Sequence, residues 1–216
     1  MSKLFRPDNP VILFFEKVFN MMLANILFLI CSLPVFTIGA SFTALCKIMQ
    51  DAVMKSDNEL GIIKRFFSVF RQNFKMATIA WLIILLLLCG FVYNMFLVAA
   101  NFSGLGAKIV KILLLILILM VVGLASYLFP LIARYDNSLR KHYRNAMLLF
   151  VMAFPTTLVM ILLNTLIFWI PYFSVRLFMR LFIVWMLLGF SVTCLADTVL
   201  LRPVFQKLEK AGSDPS

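Results

Sequence analysis

The feature that most constrains this chain is a set of long apolar stretches, the first of which contains no charged side chain. About 20 consecutive apolar residues are enough for a helix to cross a membrane. The stretches are unbroken rather than short and alternating, so they predict helices and not a barrel. We therefore predict an all-α polytopic transmembrane bundle that forms a single integral membrane domain over 1–216. It has about five spans, at residues 18–46, 76–100, 112–133, 146–170 and 181–200.

The composition also indicates that the chain lies in a lipid bilayer. Hydrophobic residues make up 63% of the chain and charged residues 13%, whereas soluble domains are about half apolar and about a quarter charged. The formal net charge is +11, but the basic residues flank the apolar stretches, as lysine and arginine do beside membrane spans. This arrangement predicts the lipid bilayer as the partner of the basic residues and argues against nucleic acid.

The first stretch, 18–46, is expected to be kinked or broken at Pro34. As one straight helix it would be about 43 Å long, which exceeds a hydrocarbon core of about 30 Å. Proline removes a backbone donor and clashes with the preceding turn. Two interpretations follow, either a kinked and tilted span or a broken helix whose open backbone lines a small-ligand site. In the second, Pro34, Thr37 and Gly39 are candidate functional residues.

The orientation follows from the distribution of Lys and Arg. The first loop, the third loop and the C-terminal tail carry more of these residues than the N-terminal segment and the other two loops. The positive-inside rule therefore predicts a cytoplasmic C-terminus and an N-terminus outside. If the first stretch is instead a re-entrant hairpin, the N-terminus moves inside and the rest of the topology is unchanged.

The first loop, 47–75, contains an amphipathic pattern, which predicts a cytoplasmic helix lying on the membrane surface. The same face is a candidate docking surface for a partner protein. The candidate docking or interfacial residues are Phe66, Phe67, Phe70, Arg71, Phe74 and Lys75.

Polar residues inside the predicted spans are a second group of candidates, namely Asn25, Asn94, Asn164 and Asp197. Asparagine in a span commonly forms hydrogen bonds between helices, and a path for a substrate is the alternative. An acid in a span is costly and often functional. For Asp197 we weigh a structural ion pair with Arg202 against a role in proton or substrate binding.

No motif for catalysis, metal binding or nucleotide binding is recognised. The chain has one histidine, His142, and no phosphate-binding glycine loop. Its four cysteines form no C-x-x-C pair, so each is interpreted as a small hydrophobe. We therefore expect that the protein is not an enzyme and needs no cofactor.

Two segments resemble the YesL-like family of bacterial membrane proteins. The first runs from Leu27-Phe28 through Leu33-Pro34-Val35-Phe36-Thr37-Ile38-Gly39, and the second is the Phe66–Lys75 segment. The family has no established activity, and its members are commonly encoded beside carbohydrate uptake systems. The resemblance implies a bacterial cell membrane location and an accessory or regulatory role in carbohydrate uptake, with a sugar permease, a membrane sensor or a second copy as partner. The alternative is a small transporter or channel that works alone.

Overall fold

The computed structural model describes the backbone of residues 10–54, 61–173 and 175–213, and the side chains of 11–54, 61–164, 179 and 182–206. Every element in these ranges is helical, and the ranges contain no strand. The elements are α1 Pro10–Cys31, a 3-10 turn Val35–Thr37, α2 Ile38–Met54, α3 Ile62–Asn101, α4 Leu105–Arg134, α5 Leu139–Met152, α6 Phe154–Phe173 and α7 Val175–Ser213.

Four of these helices contain segments long and apolar enough to cross a membrane. The segments are Val11–Cys31, Ile62–Asn101, Leu105–Arg134 and Phe182–Gln206. The helices α5 and α6 qualify together as a fifth, bent span. The prediction of an all-α transmembrane bundle with about five spans is therefore confirmed.

The first apolar stretch is broken at the predicted proline. Helix α1 ends at Cys31, and the 3-10 turn follows Pro34. The side-chain hydroxyl of Thr37 donates to the carbonyls of Cys31 and Pro34. The indole N–H of Trp81, on α3, donates to the carbonyl of Val35 at 2.8 Å. The break is thus stabilised by donors that replace the missing helical bonds, as exposed backbone in a membrane requires.

The chain then folds back, so that 18–46 is not one span. The rings of Phe28 on α1 and Phe42 on α2 have centroids 6.2 Å apart. In a continuous helix, residues separated by 14 positions would lie about 21 Å apart. Ala24 and Phe28 share one buried cluster with Leu45 and Met49 of α2. Helices α1 and α2 therefore form a hairpin with its tip at the 3-10 turn.

Helix α3 contains the segment that was predicted to form a surface helix. Residues 62–75 are the first part of one 40-residue helix that continues through the predicted second span, 76–100, and 47–54 belong to α2. The remaining residues of the predicted loop, 55–60, lie outside the described residues. The predicted amphipathic helix is thus the first part of α3 and not a separate element, because its apolar stripe continues into the span and packs inside the protein. The buried stripe is Phe66, Val69, Asn73, Ala77, Ala80 and Ile84.

The two long helices α3 and α4 form an antiparallel pair. The rings of Trp81 on α3 and Phe129 on α4 have centroids 6.4 Å apart, and the helices are joined by a short connection at Phe102–Gly104. The buried residues of α3 end at Ile84, and those in the second half of α4 begin at Gly123. The half of this pair that lies next to the connection, its distal half, therefore exposes apolar side chains, which suits a lipid environment.

A sharp elbow separates α5 from α6, and the two helices are bent by 97°. The fourth predicted span, 146–170, contains this elbow at Ala153 and is therefore not one straight helix. Pro155 cannot donate to a preceding turn. The hydroxyl of Thr157 reaches the carbonyls of Phe150 and Ala153, and the carbonyl of Ala153 also accepts the backbone N–H of Thr157. The hydroxyl of Tyr127 lies 2.7 Å from that of Thr157.

Candidate functional site

A partly open cavity of about 320 Å³ lies where the tip of the α1–α2 hairpin meets helices α3, α4, α6 and α7. The break in the first apolar stretch forms one wall, because Ile38 and Gly39 at the start of α2 line the cavity. Most of the remaining wall is aromatic or aliphatic. The other lining residues are Phe28, Phe42, Trp81, Val122, Ala125, Ser126, Phe129, Asn164, Trp185, Gly189, Phe190, Thr193 and Asp197.

The polar wall of the cavity is built from α6 and α7. The amide nitrogen of Asn164 donates to both carboxylate oxygens of Asp197, at 3.2 and 3.0 Å, and also to the carbonyl of Met160. Asp197 is buried, with 7% of its surface exposed. One amide therefore orients a carboxylate that has further acceptor capacity, since a carboxylate has about four lone-pair sites.

Two hydroxyl groups complete the polar lining. Ser126 donates to the carbonyl of Val122, and Thr193 donates to the carbonyls of Gly189 and Phe190. Each hydroxyl has a single hydrogen, and that hydrogen is used within its own helix. Toward a molecule in the cavity, these groups can therefore act only as hydrogen-bond acceptors.

The aromatic wall is made of side chains that hold one another in place. Phe190 lies 5.0 Å from Phe28 and 5.0 Å from Trp185, measured between ring centroids. Phe129 lies 5.6 Å from Phe42 in an edge-to-face arrangement. Such spacings are favourable for aromatic pairs. With Trp81 on α3, the cavity therefore presents ring faces and edges from five different helices.

Gly39 allows α2 to approach α3 at the cavity wall. A Cβ atom at this position would lie 2.5 Å from the Cβ of Trp81 and would overlap the carbonyl oxygen of Ala77. Small residues that permit close helix contact are typical of membrane bundles. Gly39 therefore has a packing role as well as a place in the cavity wall.

The structure brings together three of the predicted span residues, since Gly39, Asn164 and Asp197 all line the cavity. Pro34 and Thr37 belong to the break beside it. The predicted pairing of Asp197 with Arg202 is not observed. Among the residues that the structure describes, the ion pairs are those of Asp51 with Lys47 and Arg65.

The other two predicted asparagines lie away from the cavity. Asn25 is fully buried and connects α1 to α7, because its amide nitrogen donates to the carbonyl of Met186 and its oxygen accepts from the amide of Ser191. This is the interhelical role expected of such residues. Asn94 is exposed, and its amide donates to the carbonyl of Gly90 in its own helix.

The six candidate docking residues have different environments. Phe66 is fully buried in the cluster between α1, α2 and α3, so it is not available to a partner. Phe70 is half-buried. The side chains of Phe67, Arg71, Phe74 and Lys75 are exposed, and the two exposed phenylalanines each have 37% of their surface accessible.

Sequence reasoning missed the aromatic residues of the site. Trp81, Trp185 and Phe190 lie in stretches where almost every residue is apolar, so no local signal separates a cavity wall from a lipid-facing surface. It also missed the contact between Cys46 on α2 and Cys194 on α7, whose sulfur atoms lie 3.2 Å apart. Within the described ranges, no three His, Cys, Asp or Glu side chains are placed together to hold a metal ion.

Residues 21–95 match the family model described as "Protein of unknown function, DUF624". The matched region includes the break, α2 and most of α3, and thus the part of the cavity wall formed by Phe28, Gly39 and Trp81. No curated protein matches the chain. No solved structure matches it either.

Proposed function

We propose that this chain is an accessory or regulatory membrane component of a carbohydrate uptake system, and that it does not itself carry the sugar. The link to carbohydrate rests on the resemblance to the YesL-like family. The observation that favours an accessory role over direct sugar transport is the chemistry of the cavity.

A free sugar is a poor fit to this cavity. A sugar carries a hydroxyl on most of its carbons, and each buried hydroxyl without a partner costs about 1–3 kcal/mol. The polar lining consists of Asn164, Asp197 and two hydroxyls that already donate within their own helices. The remaining wall is apolar. Most hydroxyls of a sugar would therefore lose their hydrogen bonds on entering, which disfavours the sugar as the cargo.

A docking role requires a surface that reaches a partner. The first part of α3 extends beyond its predicted span and exposes Phe67, Arg71, Phe74 and Lys75. Aromatic and arginine side chains are enriched at protein interfaces. The basic residues favour a partner with an acidic surface, and the phenylalanines favour an apolar one. A sugar permease or membrane sensor with an acidic, apolar helix meets both requirements.

The proposed orientation places this surface in the cytoplasm of a bacterial cell. We further propose that the α1–α2 hairpin enters and leaves the membrane on one side, which is the re-entrant alternative. The crossings are then α3, α4, the bent α5–α6 pair and α7, and the N-terminal segment lies on the same side as the first loop. The outer side then keeps only Lys108, Lys111, Arg176 and Arg180. This distribution agrees better with the positive-inside rule than a single crossing does, and the C-terminus is again placed in the cytoplasm.

The experiment is purification from native membranes in mild detergent, followed by mass spectrometry of proteins recovered in stoichiometric amount. We expect a sugar permease or membrane sensor to be recovered. Changing Phe67 and Phe74 to serine is expected to reduce that recovery at least tenfold. The matched control is Phe96→Ser in the distal part of α3, where the phenylalanine is 68% exposed. Recovery of the chain alone, or only as a homo-oligomer, would contradict the accessory role.

A small transporter or channel that works alone is the second candidate. It is favoured by the position of the cavity, which lies beside a broken helix and holds a buried carboxylate, as ligand sites in transporters do. Flux of a solute through the purified chain in vesicles, lost in Asp197→Asn, would support this candidate over the first.

A further inference from the structure

We propose that the cavity binds an organic ammonium ion carried on a mostly apolar body, with the carboxylate of Asp197 as its counter-ion. This inference concerns the ligand of the cavity and does not depend on the carbohydrate role. It follows from the charge balance of the site, the aromatic walls and the scarcity of other polar groups.

The charge balance is the first observation. Only 7% of the surface of Asp197 is exposed. Its carboxylate accepts hydrogen bonds from the neutral amide of Asn164. The ion pairs of Lys47 and Arg65 are both with Asp51, not with Asp197. A carboxylate in a low-dielectric site is costly without an opposite charge. A cationic ligand in the cavity would supply that charge.

The aromatic walls select the type of cation. Trp81, Trp185, Phe129 and Phe190 line the cavity. Aromatic faces attract ammonium groups, and aromatic cages recognise alkylated ammonium ions. An alkylated ammonium ion also loses less hydration than a metal cation when it leaves water. A hard metal cation needs about six or more oxygen ligands, and the side chains of this cavity offer fewer.

The size and polarity of the cavity set the rest of the ligand. A volume of about 320 Å³ falls at the lower end of the range of about 300–1,000 Å³ that small-molecule pockets occupy. One carboxylate, one amide and two acceptor hydroxyls are enough for a single donor or cationic group. The remaining surface of the ligand must be apolar to match the wall. The site thus fits one ammonium group on an aliphatic or aromatic body.

The test compares a cation with its uncharged isostere. Phenyltrimethylammonium and tert-butylbenzene have the same shape and differ by the charge on one atom. Their binding to the full-length protein in phosphatidylglycerol vesicles can be followed by tryptophan fluorescence, because Trp81 and Trp185 line the cavity. We expect the cation to bind at least tenfold more tightly. Equal affinity, or no binding of the cation, would overturn the proposal.

The Asp197→Asn variant localises the effect. We expect it to lose the preference for the cation while still binding the uncharged isostere. The control is Asp136→Asn, which removes an exposed carboxylate outside the cavity and is expected to leave the preference intact. A cation preference that persists in Asp197→Asn would overturn the assignment to Asp197. Should that variant not fold, the comparison of the two probes in the unmodified protein still decides the proposal.

Two sources share this chemistry, an amine in solution and the amine headgroup of a lipid. Vesicles that also contain phosphatidylethanolamine distinguish them. Weaker binding of phenyltrimethylammonium in these vesicles would identify the lipid amine as a competing occupant. Unchanged binding would identify a dissolved amine. Either result supports a cation site, and failure of the partner experiment above would leave this comparison unaffected.

Discussion

Replacing Gly39 with alanine is expected to lower the free energy of unfolding by about 3 kcal/mol, the upper part of the range for overpacking a close contact. The new Cβ would overlap the carbonyl oxygen of Ala77 and would lie 2.5 Å from the Cβ of Trp81. Both neighbours are backbone or the rigid root of a side chain, so neither can move away without shifting α3. Relief of the overlap therefore requires α2 to separate from α3, which would also open the cavity.

The matched control is Gly90→Ala on α3. A Cβ at Gly90 meets no atom within 4 Å, and alanine is a better helix former than glycine by about 1 kcal/mol. This variant is expected to be as stable as the unmodified protein or slightly more so. Reversible unfolding in mixed detergent micelles measures both variants under one condition. Equal stability of the two variants would show that α2 does not pack against α3 through Gly39.

Replacing Asn25 with leucine is expected to destabilise the protein by about 2 kcal/mol. The side chain is fully buried and forms two bonds to the backbone of α7, at 2.7 Å to Met186 and 2.9 Å to Ser191. Hydrogen bonds between membrane helices contribute about 0.6 kcal/mol on average and about 1.7 at most. Two bonds at a dry interface therefore account for the expected loss, which should appear as detachment of α1 from α7.

Asn94→Leu is the control for this prediction. Asn94 is exposed and donates within its own helix to Gly90, so leucine should change the stability by less than about 0.5 kcal/mol. Protease cleavage near the N-terminus reports detachment of α1 directly. Faster cleavage in Asn25→Leu but not in Asn94→Leu is the expected pattern. The same cleavage rate in both variants would refute the bridging role of Asn25.

The local features of the fold could be predicted from the sequence. The long apolar stretches predicted the helices, and Pro34 predicted the break, because each of these features depends only on neighbouring residues. The direction taken after the break depends on contacts with distant residues. Phe28 meets Phe42 through the fold of the hairpin, and hydropathy alone is the same for a kinked span and for a helix that turns back.

The surroundings of the predicted surface helix and the bend in the fourth span could not be predicted, for a related reason. Residues 62–75 have the amphipathic pattern of an interfacial helix, but their apolar stripe is covered by α1 and α2 instead of lipid. Ala153 lies at an elbow although the stretch around it is apolar enough to be a span. Pro155 is the local signal for that elbow, and the supporting hydroxyl of Tyr127 comes from a distant helix.

The candidate site could be predicted only in part from the sequence. Asp197, Asn164 and Gly39 were recognisable because polar residues, and a glycine five positions after a proline, stand out in an apolar chain. Their common location could not be predicted, since the contact between Asn164 and Asp197 joins two helices across 33 positions. The predicted partner Arg202 is near Asp197 in sequence, whereas the observed partner lies on the neighbouring helix.

The central claim is that α2 folds back into the bundle and so forms one wall of the cavity. Cys46 on α2 and Cys194 on α7 test this directly, because their sulfur atoms lie 3.2 Å apart in the bundle interior. With Cys31 and Cys89 changed to serine, oxidation by membrane-permeant iodine should join the two remaining thiols. A variant that keeps only Cys31 and Cys194 is the control.

The measurement is the mass of the denatured protein after oxidation and thiol alkylation. We predict the loss of two hydrogen atoms and no alkylation in the Cys46–Cys194 protein, and alkylation of both thiols in the control. Alkylation of both Cys46 and Cys194 under the same oxidation would contradict the account, because α2 would then not lie against α7.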